Sequence, residues 1–391
     1  MIRWILGTTL GFCIGAILWQ LRLLQVATFL SAAGLRRWLH SSNSNGPEGR
    51  AADWSRVGRP TASSVALNPN AMITYHPEYH HFDPSLAISS LSACVELRIG
   101  WLRTDVRWNE LIPDSIHPNL EALAWYRNFL MTVKSCGLRN MVVLSSPPPS
   151  VLSQKSSGRL EAWSRFVRLV VGELGTFCSA YQLMNEPNGP IYGFLPKHDC
   201  VTAIVEGASI VHAADSAAIV TINISMEVWG WREFLMDILS ASGSAVDLIG
   251  LDHYPGTWTV GTSDRWAAVA EISDVIASAT PESPWFDRRL AIMETGYSTN
   301  SFLRDELEQS HYFESIQEFI ARLNMNQPRK RPLCGIYELC DGDSEAWLDP
   351  EAHFGIMTTN LNPKVAFATV AQLIEGLSDG REFDADWSSN H

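Results

Sequence analysis

Two carboxylates stand where the chain changes character. "AYQLMNEPNGP", Ala180 to Pro190, starts as a buried-strand pattern and carries Glu186 at its end, where Asn188-Gly189-Pro190 forbids regular continuation. "RLAIMETGYST" repeats the arrangement about a hundred residues later, with the apolar run Leu290 to Met293 leading into Glu294. Two carboxyl groups facing each other can cleave a glycosidic bond: one donates a proton to the leaving oxygen, and the other attacks the anomeric carbon or activates water. A single glutamate at a strand end is ordinarily a solvated loop residue, so the pattern gains meaning only from the pair and its flanks.

A fold must bring the two runs together. Eight β-prone stretches can be read: "AMITYH", "WLRTDV", "NMVVLSS", "AYQLMN", "AIVTINIS", "VDLIGLDHY", "RLAIME" and "LCGIYEL". Segments of helical period lie between them. One places Leu123, Tyr126, Leu130 and Val133 on a stripe, another Trp163, Phe166, Val167, Val170 and Leu174, and a third Phe313, Ile316, Ile320 and Leu323. "NPKVAFATVAQLI" supplies a last helix with Pro363 near its start. Strands two to eight recur roughly every 30 to 45 residues, which suits βα units. Such units close most naturally into a single (β/α)8 barrel, an α/β fold with its chemistry at the C-terminal strand ends. A doubly wound open sheet would want a glycine-rich phosphate turn after an early strand, and the chain has none. In the barrel, Glu186 at strand four and Glu294 at strand seven share one mouth.

On these motifs the chain resembles the clan A retaining glycoside hydrolases, (β/α)8 enzymes that include cellulases, β-xylosidases and β-glucosidases. "MNEPN" at strand four and "METGYS" at strand seven carry the resemblance, which runs from about Ala71 to Ile374. It implies that Glu186 is the acid/base, Asn185 a substrate-binding residue, and Glu294 the nucleophile. It also implies that Arg103 in "WLRTDVRW" bonds the nucleophile, that His253 and Tyr254 in "LDHYPGT" hold it, and that Tyr337 in "GIYELCDG" floors the sugar site. Arg103 has an alternative in pairing with Asp105 or Glu110. Trp108, Trp229 and Trp231 lie near strand ends, where they could stack on sugar or fill the core. Two departures concern the substrate mouth: Met184 stands where many members carry Trp, and strand three ends in "SSPPPS" without the histidine several of them place there. The implied function is hydrolysis of a β-linked glycoside with retention. The alternative is a carbohydrate-binding pseudoenzyme, or a tailoring enzyme for a small metabolite, on the same barrel. The resemblance implies no metal and no cofactor.

Composition bounds the rest. The 391 residues are 46% apolar, as for a large globular core. Asp plus Glu number 42 against 29 Lys plus Arg, a formal charge of −13 that disfavours nucleic acid and anionic membrane surfaces as partners. Fifteen Trp suit flat, partly apolar ligands such as sugars. The organisation read from the sequence is an apolar segment over 1–40, a Ser/Asn/Gly/Pro-rich linker over 41–64, the barrel over 65–376 and an acidic tail over 377–391. "WILGTTLGFCIGAILW" reads as a signal sequence or a membrane anchor, placing a monomeric protein in the secretory pathway, secreted or membrane-attached. The bland reading of that segment is an amphipathic helix docked on the domain. Of seven cysteines, six lie in the body. Cys334 and Cys340 on one extended strand are too far apart to bridge, at about 3.3 Å per residue. Cys136 and Cys178, both just before strands, could be neighbours, and buried free thiols are expected for most of the six. No Cys or His spacing is that of a zinc site. Asn223-Ile224-Ser225 has the form of a glycosylation acceptor but falls on a strand, where burial would block it.

Overall fold

The computed structural model describes Trp54 and residues 66–190, 193–257, 266–300, 304–326, 332–342 and 349–377. The apolar segment over 1–40, the linker apart from Trp54, and the tail beyond Leu377 lie outside the described residues. Eight parallel strands close into a barrel in sequence order: β1 (Asn68–Thr74), β2 (Ile99–Arg107), β3 (Arg139–Ser145), β4 (Ala180–Leu183), β5 (Ile219–Ser225), β6 (Leu248–Asp252), β7 (Arg289–Thr295) and β8 (Leu333–Ile336). All eight strand expectations hold, with ends moved by a few residues, and the helical stretches fall on Leu120–Ser135, Ser156–Leu174, Glu306–Asn326 and Val365–Gly376. Pro363 lies just before the last of these rather than inside it, because Lys364 is its N-cap.

The strands form because both faces are covered. Inward residues from every strand, Met72, Trp101, Met141, Ala180, Ile219, Leu248, Ala291 and Leu333 among them, fill the lower barrel and are almost wholly buried. Outward residues join the helix stripes in the main core, where Leu123, Tyr126, Trp163, Phe166, Phe313 and Ile316 are all buried. The helix Leu120–Ser135 shows how local sequence sets these elements. The Asn119 side chain accepts from the Glu121 and Ala122 amides at its start, and Gly137, with φ of 83°, takes the left-handed turn just past its end. Trp108 stacks on Phe166 with ring planes 2° apart and belongs to the core, not to the mouth.

All six described cysteines are free thiols, and all but half-buried Cys178 are buried. Cys340 lies beyond β8 rather than on it, since that strand ends at Ile336. Asn223 is buried on β5, as its position in the strand required. Among the described residues no helix is long and apolar enough to cross a membrane.

Candidate active site

One layer above the apolar plug, the barrel interior turns polar. Arg103 on β2 is 2% exposed and spends its guanidinium on four partners. Nε donates to Gln182 Oε1 at 2.8 Å, Nη1 to Thr74 Oγ1 at 3.2 Å, Nη2 to Asn185 Oδ1 at 3.0 Å, and Nη2 also meets Glu294 Oε1 at 2.5 Å. The sequence alternative, pairing with Asp105 or Glu110, is not what forms. The Tyr254 hydroxyl donates to the other oxygen, Glu294 Oε2, at 2.6 Å. Glu294 is therefore a buried carboxylate with a donor on each oxygen. Removing one member of such a buried charge pair costs about 3–5 kcal/mol, since the other is left uncompensated.

Glu294 faces inward because β7 breaks its alternation there. Met293, its neighbour, points into the barrel plug. The register with β6 shifts between Leu251 and Asp252, and that with β8 between Ile292 and Thr295. An extra residue at a bulge rotates the strand beyond it, so consecutive side chains can share a face.

Glu186 is aimed by a different device. Past the end of β4 the chain takes positive φ at Met184 (67°) and at Glu186 itself (37°), curling out of the sheet. Asn223 Oδ1 accepts from the Glu186 amide at 2.9 Å, and Asn188 exchanges two bonds with the Ser225 backbone at 2.8 and 3.1 Å. The loop is thus tied to the end of β5. The Asn223 amide donates to Asn185 Oδ1 at 2.6 Å and to Asp252 Oδ2 at 2.5 Å, and Gln182 Nε2 donates to Asn185 Oδ1 at 3.1 Å. Asn185 is held through its oxygen, and no described residue accepts from its Nδ2.

The electrostatics separate the two glutamates. Burial, then the negative charge of Glu294, pushes the Glu186 carboxyl up from 4.5 to about 8. Burial likewise lifts buried Asp252 well above the usual carboxylate range, with Glu294 and Glu186 adding to it. Burial, then Asp349 and Glu294, lifts Glu351 to about 7. Several acids converge near one guanidinium, and burial raises three of them, Glu186, Asp252 and Glu351.

The remaining candidates take distinct places. Tyr337 closes the wall beside Tyr254, ring centroids 5.8 Å apart at 89°, and its hydroxyl donates to Glu351 Oε2 at 3.3 Å. The Tyr337–Glu338 peptide is cis. His253 does not meet the Glu294 carboxylate with its Nδ1, which pairs with Glu227 Oε1 at 2.9 Å; the same oxygen accepts from the Tyr254 amide at 3.1 Å. His253 therefore stands behind the tyrosine. Trp229 is fully exposed after β5, and half-buried Trp231 lies under the Arg232 guanidinium at 4.7 Å. Gln182, Asp252, Glu227 and Glu351 were not singled out from the sequence, and Asn223 was read there only as a glycosylation-form motif on a strand. For Gln182 and Asn223 a signal existed, since each is a polar residue inside an otherwise apolar strand run. For a metal, the described residues offer one group with converging ligand atoms, His76, Glu78 and Asp105.

Comparison with known proteins agrees on the fold. No protein-family model matches the chain. No curated protein sequence matches it either. Among solved structures it resembles a family 39 glycoside hydrolase from the gut symbiont Bacteroides cellulosilyticus WH2, with TM-score 0.59 and 15% identity over 80% of this chain and 64% of that one. It resembles a family 1 β-glucosidase from Thermotoga maritima with TM-score 0.57 and 11% identity, covering 81% of this chain and 98% of that one. An exo-β-1,4-mannosidase from Opitutaceae bacterium strain TAV5 gives TM-score 0.61 and 13% identity over 83% of this chain and 61% of that one. The chain thus spans under two thirds of the length of the first and third of these. At such identities the likeness is one of fold, the (β/α)8 barrel that the strand motifs implied.

Proposed function

We propose that the protein is a glycoside hydrolase that cleaves a β-linked glycoside with retention of configuration. The observation that carries this reading is the division of the carboxyl pair. Glu294 accepts from a guanidinium and a phenol, while Glu186, from the facing side of the same mouth, is pushed up to about 8. A nucleophile must be ionised to attack, and a general acid must hold its proton near neutral pH. Glu294 then attacks the anomeric carbon as Glu186 protonates the departing oxygen. Water attacks the glycosyl-enzyme next, with Glu186 taking its proton. Retention by this route wants the two carboxyls about 5–5.5 Å apart, whereas inversion wants about 6.5–9.5 Å.

Asn185, fixed through its oxygen, offers its Nδ2 to a sugar hydroxyl, and Tyr337 offers a ring beside the nucleophile. The glycosidases among the similar folds, the β-glucosidase and the exo-β-1,4-mannosidase, support a β-linked substrate. A panel of nitrophenyl α- and β-glycosides assayed with wild type and Glu294→Gln tests the reading. Turnover of at least one β-glycoside is expected, falling by about 10^4-fold or more in the variant, in line with the loss of a covalent nucleophile. Its first-formed product is expected to be the β-anomer. An α-anomer, or activity indifferent to Glu294, would overturn retention.

A further inference from the structure

A second polar cluster lies beside Tyr337, where the ends of β8, β1 and β2 meet; the His76 and Tyr337 rings are 5.8 Å apart. His76 is 8% exposed, yet neither of its ring nitrogens makes a hydrogen bond. Nδ1 stands 3.6 Å from Glu78 Oε1 and 3.6 Å from Asp105 Oδ2, and Nε2 stands 3.5 Å from Glu338 Oε2. Glu338 is 1% exposed, and both its carboxyl oxygens lack a hydrogen-bond partner, as does buried Glu78 Oε2. Buried polar atoms are nearly always paired. Here the unpaired Nε2 and Glu338 Oε2 face each other just beyond hydrogen-bond distance, and the unpaired Nδ1 stands at a similar distance from one oxygen of Glu78 and one of Asp105. The Arg107 guanidinium, 3.6 Å from Glu78 Oε1, is the nearest cation from a neighbouring element, while Arg103 is committed to Glu294. Three carboxyl groups thus surround one imidazole.

The separations fit an ion. Two ligand atoms each about 2.1 Å from one metal lie 3.6 Å apart when they subtend roughly 120° at it. The Nδ1, Glu78 and Asp105 ligand atoms all lie within 4.8 Å of one another. Nε2 faces Glu338, the arrangement in which a carboxylate takes the N–H of a metal-bound histidine and leaves the other nitrogen's lone pair for the metal. The Glu78 and Asp105 side chains are each 19% exposed, which leaves a path for entry. One imidazole nitrogen with carboxylate oxygens suits Zn2+ or Mn2+ better than Ca2+ or Mg2+, which favour all-oxygen shells.

We propose that His76, Glu78 and Asp105 form a divalent-cation site at the joined ends of β1 and β2, taking Zn2+ or Mn2+, with Glu338 holding the His76 ring from behind. The site is separate from the carboxylate pair, and the proposal stands whether or not the chain hydrolyses glycosides. The sequence concealed it because His76 and Glu78, two residues apart, gain their third ligand, Asp105, only through the pairing of β1 with β2.

The test uses the full chain, stripped with a chelator and then offered Zn2+ or Mn2+. Bound metal is measured by mass spectrometry after desalting, and the thermal midpoint by calorimetry. Mn2+ is the more discriminating probe, since thiols elsewhere bind Zn2+ but have little affinity for Mn2+. One ion per chain and a raised midpoint are expected. Affinity should fall at least a hundredfold in Asp105→Asn and Glu78→Gln, and 10- to 100-fold in Glu338→Gln, as is usual for a residue behind a ligand. Glu186→Gln should bind as wild type does. If Asp105→Asn does not fold, Glu78→Gln decides alone. The proposal is overturned if no stoichiometric ion binds, which would leave a proton on His76 as the cluster's cation. It is equally overturned if Glu78→Gln keeps the ion, or if Glu186→Gln is the variant that loses it.

Discussion

At the scale of single residues, the proposed chemistry requires Glu186 to hold a proton that an ordinary glutamate would have lost. That has a consequence for stability with a definite sign. The folded-state value is raised from 4.5 to about 8, so folding is favoured most below the ordinary value, and the advantage is lost as pH rises through that window. Glu186→Gln removes the loss, so the variant should melt higher than wild type at pH 7 to 8 and equal it below about pH 4.5. A shift of this size bounds the gain at a few kcal/mol, and partial exposure of the side chain brings the expectation down to about 1 kcal/mol. Melting curves of the two proteins across pH 4 to 8.5 check it. A variant that melts lower at every pH would mean that the carboxyl is stabilised by its surroundings rather than strained by them.

At the scale of elements, backbone devices aim the carboxyls. The β7 bulge that turns Glu294 inward needs β8 pressed close, and Gly335 permits this. A Cβ there would meet the Met293 carbonyl oxygen well inside contact distance and the Met72 methyl at 2.7 Å. Gly335→Ala should therefore displace β7, costing about 2–4 kcal/mol in stability and lowering turnover although no catalytic atom is removed. Unfolding by denaturant, with activity measured on the folded fraction, separates the two effects, and a variant of wild-type stability would show that the strands are not pinned there. Strands and helices were legible in the sequence because period and burial agree: the stripe through Leu123, Tyr126, Leu130 and Val133 is the buried one. The carboxylate pair was legible because Glu294 comes directly after an apolar run and Glu186 one residue past another. The supporting network was not, since Gln182, Asn223 and Asp252 are far apart in sequence and meet only through strand order. Glu351, in the short turn Pro350–His353, had no period to betray it. His253 was visible as half of a pair with Tyr254, but its Nδ1 goes to Glu227, a partner that only the β5 loop brings near.

At the scale of the whole molecule, the question is where the barrel begins. Its described residues belong to the unit Gly46–His391. Trp54 packs its ring against Trp125, centroids 5.8 Å apart, on the helix Leu120–Ser135. We propose that the chain before Gly46 serves targeting or anchoring and is not needed for the fold. A chain starting at Gly46 should melt with the full-length protein, whereas one starting at Ser64 should still fold but lose about 1–2 kcal/mol with the Trp54 packing. If the Gly46 start alone abolishes folding, the apolar segment is part of the structure and the targeting reading fails.

Glu186 and Glu294 are assigned different roles in a two-step displacement, and a pre-steady-state burst separates them. With a nitrophenyl glycoside as substrate, the leaving group needs little acid help. Glu186→Gln should therefore release a burst of nitrophenol equal to the enzyme concentration and then stall as the glycosyl-enzyme accumulates. Added azide, which needs no general base, should relieve the stall by at least tenfold and yield a β-glycosyl azide. Glu294→Gln should show neither burst nor a β-configured azide product. A burst and a β-glycosyl azide from Glu294→Gln, with neither from Glu186→Gln, would reverse the roles. Wild-type activity unaffected by either substitution would contradict the assignment altogether.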